Sequence, residues 1–143
     1  MIRISLAVLL LVGLCGAGSA QERSARANYI LRCAGCHGMT GEGTVQGGVP
    51  GFPGSVGQIA ATETGRTYMM HVPGVVASSL SDTEIAEVMN YVLGTWSDSA
   101  QLYTVEEVRR RRATPIGDLI DYRRNMVEAL AAEGIEIAPY PWP

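Results

Sequence analysis

The sequence predicts an all-α fold with a helical C-terminal extension, and three observations carry that prediction. Apolar residues recur at helical spacing in several stretches bounded by capping residues, Gly or Pro. Nothing in the chain calls for a sheet, and no internal repeat is visible. Cys33-Ala34-Gly35-Cys36-His37 places two thiols one helical turn apart with an imidazole beside the second. This is the C-x-x-C-H arrangement through which haem is attached covalently. In that reading Cys33 and Cys36 bond to the porphyrin vinyls, His37 approaches the iron from the proximal side, and the helices wall one covalent haem c. A redox dithiol would gain nothing from the adjacent imidazole. A zinc site would need further ligands, and beyond residue 37 there is no cysteine and only His71.

The 143 residues suit one modest domain. Residues 1–20 read as a signal peptide: Arg3 precedes the apolar run from Ile4 through Leu14, and Gly18-Ser19-Ala20 offers small residues for cleavage near Gln21. The run is too short for a stable membrane span. Cys15 leaves with this segment, since Leu14 before it is too large for lipoprotein processing. Residues 21–94 then form the haem domain and 95–143 an extension packing on it or on a partner. The expected location is the periplasm, because bacterial c-type haem is assembled outside the cytoplasmic membrane. With both remaining cysteines committed to the cofactor, no structural disulfide is expected. All 11 basic residues are Arg against 14 Asp and Glu, a net charge of -3, which gives nucleic-acid binding little support.

The elements follow in order. Glu22 to Leu31 reads as a short amphipathic helix leading into the motif, with Tyr29 and Ile30 as core candidates. Gly38 to Gly54 is too rich in Gly and Pro to propagate a helix and suits tight turns laid over a flat ligand. Within it the Pro50 carbonyl is placed to accept from the far nitrogen of His37 and fix the ring. A helix is expected over Gln58 to Val72, burying Ile59, Tyr68 and Met69 and ended by Pro73-Gly74. Ser81 and Glu84 form a capping-box pattern opening a helix from Thr83 to about Leu93, with Ile85, Val88, Met89 and Val92 on its apolar stripe and Gly94 as its stop. Thr104 caps a helix carrying Arg109 to Arg112, read as a solvated face in preference to an acidic partner's dock. After Pro115, Ile116 to Ala132 offers Leu119, Ile120, Met126, Val127 and Leu130 for packing. The tail from Ile135 is not helical, and Tyr140 and Trp142 are its anchors.

The sixth iron position decides between electron transfer and ligand binding. Met69, Met70 and His71 stand together before Val72-Pro73. Methionine sulfur favours reduced iron, whereas histidine lowers the potential. Met70 is the first choice, His71 the second and Met69 the third, with Met89, Met39 or an open site remaining.

In these residues the chain resembles the class I, mitochondrial-like c-type cytochromes. The likeness is carried by Cys33-Ala34-Gly35-Cys36-His37-Gly38, the Gly-rich loop ending in Val49-Pro50, and Leu80-Ser81-Asp82-Thr83-Glu84-Ile85 leading to Asn90-Tyr91-Val92. It spans roughly residues 25 to 94. It implies that the first and last core helices cross beside the haem, that the Pro50 carbonyl steadies His37, and that a loop Met supplies the sixth bond. Members commonly place that Met directly before a Pro, where this chain has Val72-Pro73. The stretch from Gly65-Arg66-Thr67-Tyr68 through Val75 is similar to small cytochromes found alongside periplasmic amine or alcohol dehydrogenases, which implies a dehydrogenase as redox partner. The expected function is therefore a monohaem carrier of single electrons, not an enzyme. Its alternatives are a permanent dehydrogenase subunit, and a small-ligand sensor or enzyme with an open or displaceable distal site.

Overall fold

The computed structural model describes residues 23–98 and 101–140. The expected signal peptide with Cys15, and the anchor Trp142, lie outside the described residues. Among the described residues all regular structure is helical, and one isolated bridge between Thr44 and Val49 pins the glycine-rich loop.

Helix α1 (Ala25–Arg32) starts at Ser24, whose side chain accepts the Ala27 N–H, and a kink at Cys33 separates it from α2 (Ala34–His37). Tyr29 of α1 is 1% exposed, whereas Ile30 sits at the surface. After the loop the chain forms α3 (Val56–Ala60) and α4 (Glu63–Met69) where one continuous helix was expected. The break has a local cause. Thr62 turns extended and its hydroxyl accepts the Gly65 N–H, restarting the helix. A side-chain carbon on Gly65 would lie 1.9 Å from the Ile59 carbonyl oxygen, so only glycine lets the two helices meet so closely. Helix α4 ends at Met69, before Pro73 is reached, and Pro73 instead opens the short α5 (Pro73–Val76) at a position where its missing N–H costs nothing.

The capping box of Ser81 and Glu84 is complete at the start of α6 (Asp82–Trp96). Gly94 does not stop this helix. Trp96 packs its ring 5.1 Å from Tyr29, 5.4 Å from Phe52 and 6.1 Å from Tyr91, and those contacts outweigh the roughly 1 kcal/mol that an internal Gly costs. Helix α1 packs against α6, with the Tyr29 and Tyr91 rings 5.5 Å apart, and Ile85, Val88, Met89, Val92 and Leu93 fill the core beneath.

The extension contributes α7 (Val105–Arg112) and α8 (Leu119–Ala132), capped by Thr104 and Asp118. Helix α7 lies on α6 and α4, and α8 lies on α4. Arg111 departs from the expected solvated face: it is buried, pairing with Glu107 and Glu63 and donating to the Thr67 hydroxyl. Asn90 holds the Tyr103 backbone through both its amide groups, at 3.0 and 2.7 Å. Met126 and Leu130 bury the inner side of α8, and the tail is tied back where the Ala138 N–H donates to Ser55 Oγ at 2.7 Å.

Candidate cofactor site

The Cys33 to His37 turn is held from outside by three hydrogen bonds. Tyr29 donates its hydroxyl to the Gly38 carbonyl at 2.6 Å, Thr44 donates to the Cys36 carbonyl at 2.5 Å, and the Gly43 N–H donates to the His37 carbonyl at 2.9 Å. The last requires glycine: Gly43 has φ +74°, and a side-chain carbon there would lie 2.3 Å from the Val49 carbonyl oxygen. Burial, with the nearby Cys33 and Tyr91 adding to it, pushes the Tyr29 phenol up to about 12, so it remains a donor at neutral pH.

This turn forms one edge of a cavity of about 400 Å³. Phe52 stacks on the His37 ring, centroids 4.0 Å apart and planes 18° from parallel. Burial lowers the His37 pKa and so favours the neutral imidazole that ligates metal, while the Pro50 carbonyl pulls the other way. Nδ1 is buried without a hydrogen-bond partner among the described residues, so the expected bond to Pro50 stops short of bonding geometry. The Cys33 thiol is half-buried and its pKa is raised, first by burial and then by Cys36, which is exposed.

Tyr68 and Met69 of α4 line another part of the cavity, Ile85, Val88, Met89 and Val92 come from α6, and Leu119, Ile120 and Arg123 of α8 join Ala138 and Tyr140 from the extension. Cys33, Cys36, His37 and Pro50 are thus brought together. Met70 and His71 are not among the lining residues. Met70 is 1% exposed within the core, and His71 turns Nδ1 to the Thr67 carbonyl at 2.9 Å. Met69 and Met89 do line the cavity, and Met39 is 55% exposed at the surface.

These donors suit a flat, apolar, iron-bearing ligand. Cys33, Cys36 and His37 lie at one edge, Met69 and Met89 stand elsewhere among the lining residues, and the rest is largely aliphatic and aromatic. Among the described residues no cluster of three His, Cys, Asp or Glu that could hold a metal ion is assembled. Sequence reasoning passed over Phe52, Arg123 and Tyr140 as parts of the site. For Arg123 a signal was present: it interrupts the stripe of Leu119, Met126 and Leu130, where an apolar residue belongs.

No protein-family model matches the chain. A cytochrome c-552 from Thermus thermophilus is 34% identical over 134 residues, covering 78% of this chain and 86% of the relative. A second cytochrome c-552, also from Thermus thermophilus, is 34% identical over 110 residues, covering 61% of this chain and 83% of its own length.

Proposed function

This chain belongs to the class I c-type cytochromes, with one covalently bound haem c, and from that premise we propose that it is an exported carrier passing single electrons between periplasmic redox partners. The observation that carries the proposal is the C-x-x-C-H turn on the edge of a largely apolar cavity. Haem supplies the one-electron couple at its iron; the protein binds, insulates and tunes it. Cys33 and Cys36 tether the porphyrin through thioethers. His37 would ligate the iron, its ring orientation set by stacking on Phe52. Aliphatic groups from α6 and α8 keep water out. Met69 is the distal ligand we favour over Met70, because Met69 is a lining residue of the cavity and Met70 is not; coordination requires Met69 Sδ to turn from the Tyr103 hydroxyl, which donates to it at 3.5 Å. Residues 1–20 direct export, and the described part of the extension, residues 101–140, packs on the haem domain. A dehydrogenase as electron donor is supported by the Gly65 to Val75 stretch alone.

Visible and near-infrared spectra of the oxidised and reduced holoprotein test this reading beside Met69→Ala, Met70→Ala and Met89→Ala. A methionine-to-iron charge-transfer band lost only in Met69→Ala is the expected result. Loss in Met70→Ala alone would restore Met70. A low-spin spectrum without the band would point to His71. A high-spin spectrum with rapid carbon monoxide binding would overturn the carrier in favour of a small-ligand sensor or enzyme.

A further inference from the structure

Three arginines are almost wholly buried: Arg66 at 3% exposure, Arg111 at 5% and Arg123 at 3%. The first two share the Glu107 carboxylate, and Arg111 also reaches Glu63. Arg123 has no carboxylate partner among the described residues. Its Nη2 donates to the Ala138 carbonyl at 2.7 Å and its Nη1 to the Tyr68 hydroxyl at 3.4 Å. The guanidinium carbon lies 4.3 Å from the Tyr140 ring centroid and 5.5 Å from that of Tyr68, whose hydroxyls meet each other at 3.0 Å. Burial is the main force raising the Tyr68 pKa, so its phenol is neutral and supplies no counter-charge. A guanidinium carries five N–H donors, and a buried cation left unpaired is costly.

Arg123 also lines the cavity. The described lining residues include Arg32, exposed on the rim, and Arg123, buried, but no Asp or Glu. The other titratable groups on that wall are Cys33, Cys36, His37, Tyr68 and Tyr140. On its own helix Arg124 is exposed and spoken for by Asp121. The ligand this cavity takes brings its own anions, two propionate carboxylates.

We propose that Arg123 is the buried receptor for a haem propionate, so that the cofactor supplies the carboxylate that no described residue provides. The proposal rests on the haem reading above. It makes Arg123 a positioning residue: its charge offsets the propionate, holds it ionised, and ties α8 and the tail to the cofactor.

The experiment uses the holoprotein, wild type beside Arg123→Gln and Arg123→Lys. Covalent haem on a denaturing gel is read first, since its absence from the wild type would remove the haem reading itself, whatever Arg123 does. The reduction potential is then followed from mildly acid to mildly alkaline pH. The wild type is expected to be flat. Arg123→Gln is expected to fall below it at alkaline pH and to gain a pH-dependent segment, because an uncompensated propionate favours ferric iron and titrates nearer neutrality. Arg123→Lys should recover most of the difference. A glutamine variant with the wild-type potential and profile would overturn the proposal. So would an azide-induced spectral shift present in the wild type and absent from Arg123→Gln, which would assign the guanidinium to a diffusible anion. An infrared pH titration of the propionate stretches in the wild type decides the matter if the glutamine variant does not fold. One carboxylate staying ionised well below the other supports Arg123, and two titrating together refute it.

Discussion

The Glu107 carboxylate accepts from Arg66 Nε and Nη2 at 2.6 and 2.7 Å and from Arg111 Nε at 2.7 Å, with 11% of its side chain exposed. Bonds of this bidentate, charge-assisted kind are the strong ones, and removing one member of a buried set leaves the rest uncompensated. Glu107→Gln is therefore expected to lower stability by about 3 kcal/mol, read from denaturant unfolding of the holoprotein at neutral pH. The hydrogen bond from Arg66 is the largest cause holding the Glu107 carboxyl down at about 2, against an ordinary 4.5. A carboxyl depressed in the folded state stabilises above its unfolded value and loses that contribution as pH falls through its folded one. Wild-type stability should accordingly decline as pH drops from 4.5 towards about 2, and Glu107→Gln should lack that part of the slope, as unfolding curves at stepped pH would register. None of this was legible beforehand. Thr104 marked Glu107 as an acid in a first turn, but Arg66 lies 41 residues away and no periodicity connects them.

Two helix starts were legible because their chemistry is local: Ser81 and Thr104 each accept a backbone N–H from three residues on. Asp118 caps α8 in the same way but was not singled out in a helix expected from Ile116. Ser81→Ala should cost about 1 kcal/mol in denaturant unfolding, since it removes one half of the capping box. Helix interiors and ends were less legible, because neighbours distant in sequence decide them. Two glycines show the difference. Gly94 lies inside α6 with open space around it, so Gly94→Ala is expected to raise stability by about 0.5–1 kcal/mol. Gly65 has the Ile59 carbonyl in the way, and Gly65→Ala is expected to cost about 1–3 kcal/mol through forced backbone movement. The midpoints of the two variants should therefore move in opposite directions. In the sequence, Gly94 resembled a stop and Gly65 an ordinary member of a helix.

Across the whole molecule, the haem motif was readable from residue types and the α1–α6 crossing from the family resemblance, whereas the manner in which the extension closes the cavity was readable from neither. Leu119 and Ile120 announced an apolar face without saying what it faces, and they line the cavity beside Arg123 and Tyr140. Deletion from Thr104 onward would remove that wall and also strip Arg66 of Glu107. The truncated holoprotein is expected to keep its haem on a denaturing gel, because Cys33 and Cys36 remain. Its reduction potential should fall as water reaches the porphyrin, and its stability should drop by several kcal/mol for the buried charge left behind, on the order of 3–5. A potential unchanged from the full chain would place the extension's role elsewhere.

The attachment turn occupies residues 33–37, while the closing residues of the cavity run from 119 to 140. A chain that is synthesised from its N-terminus presents its thiols before it possesses the wall that will cover the porphyrin. Tether and cover are thus written at opposite ends of one chain, so a change in residues 119 to 140 alters how the porphyrin is enclosed and leaves its two points of attachment in place.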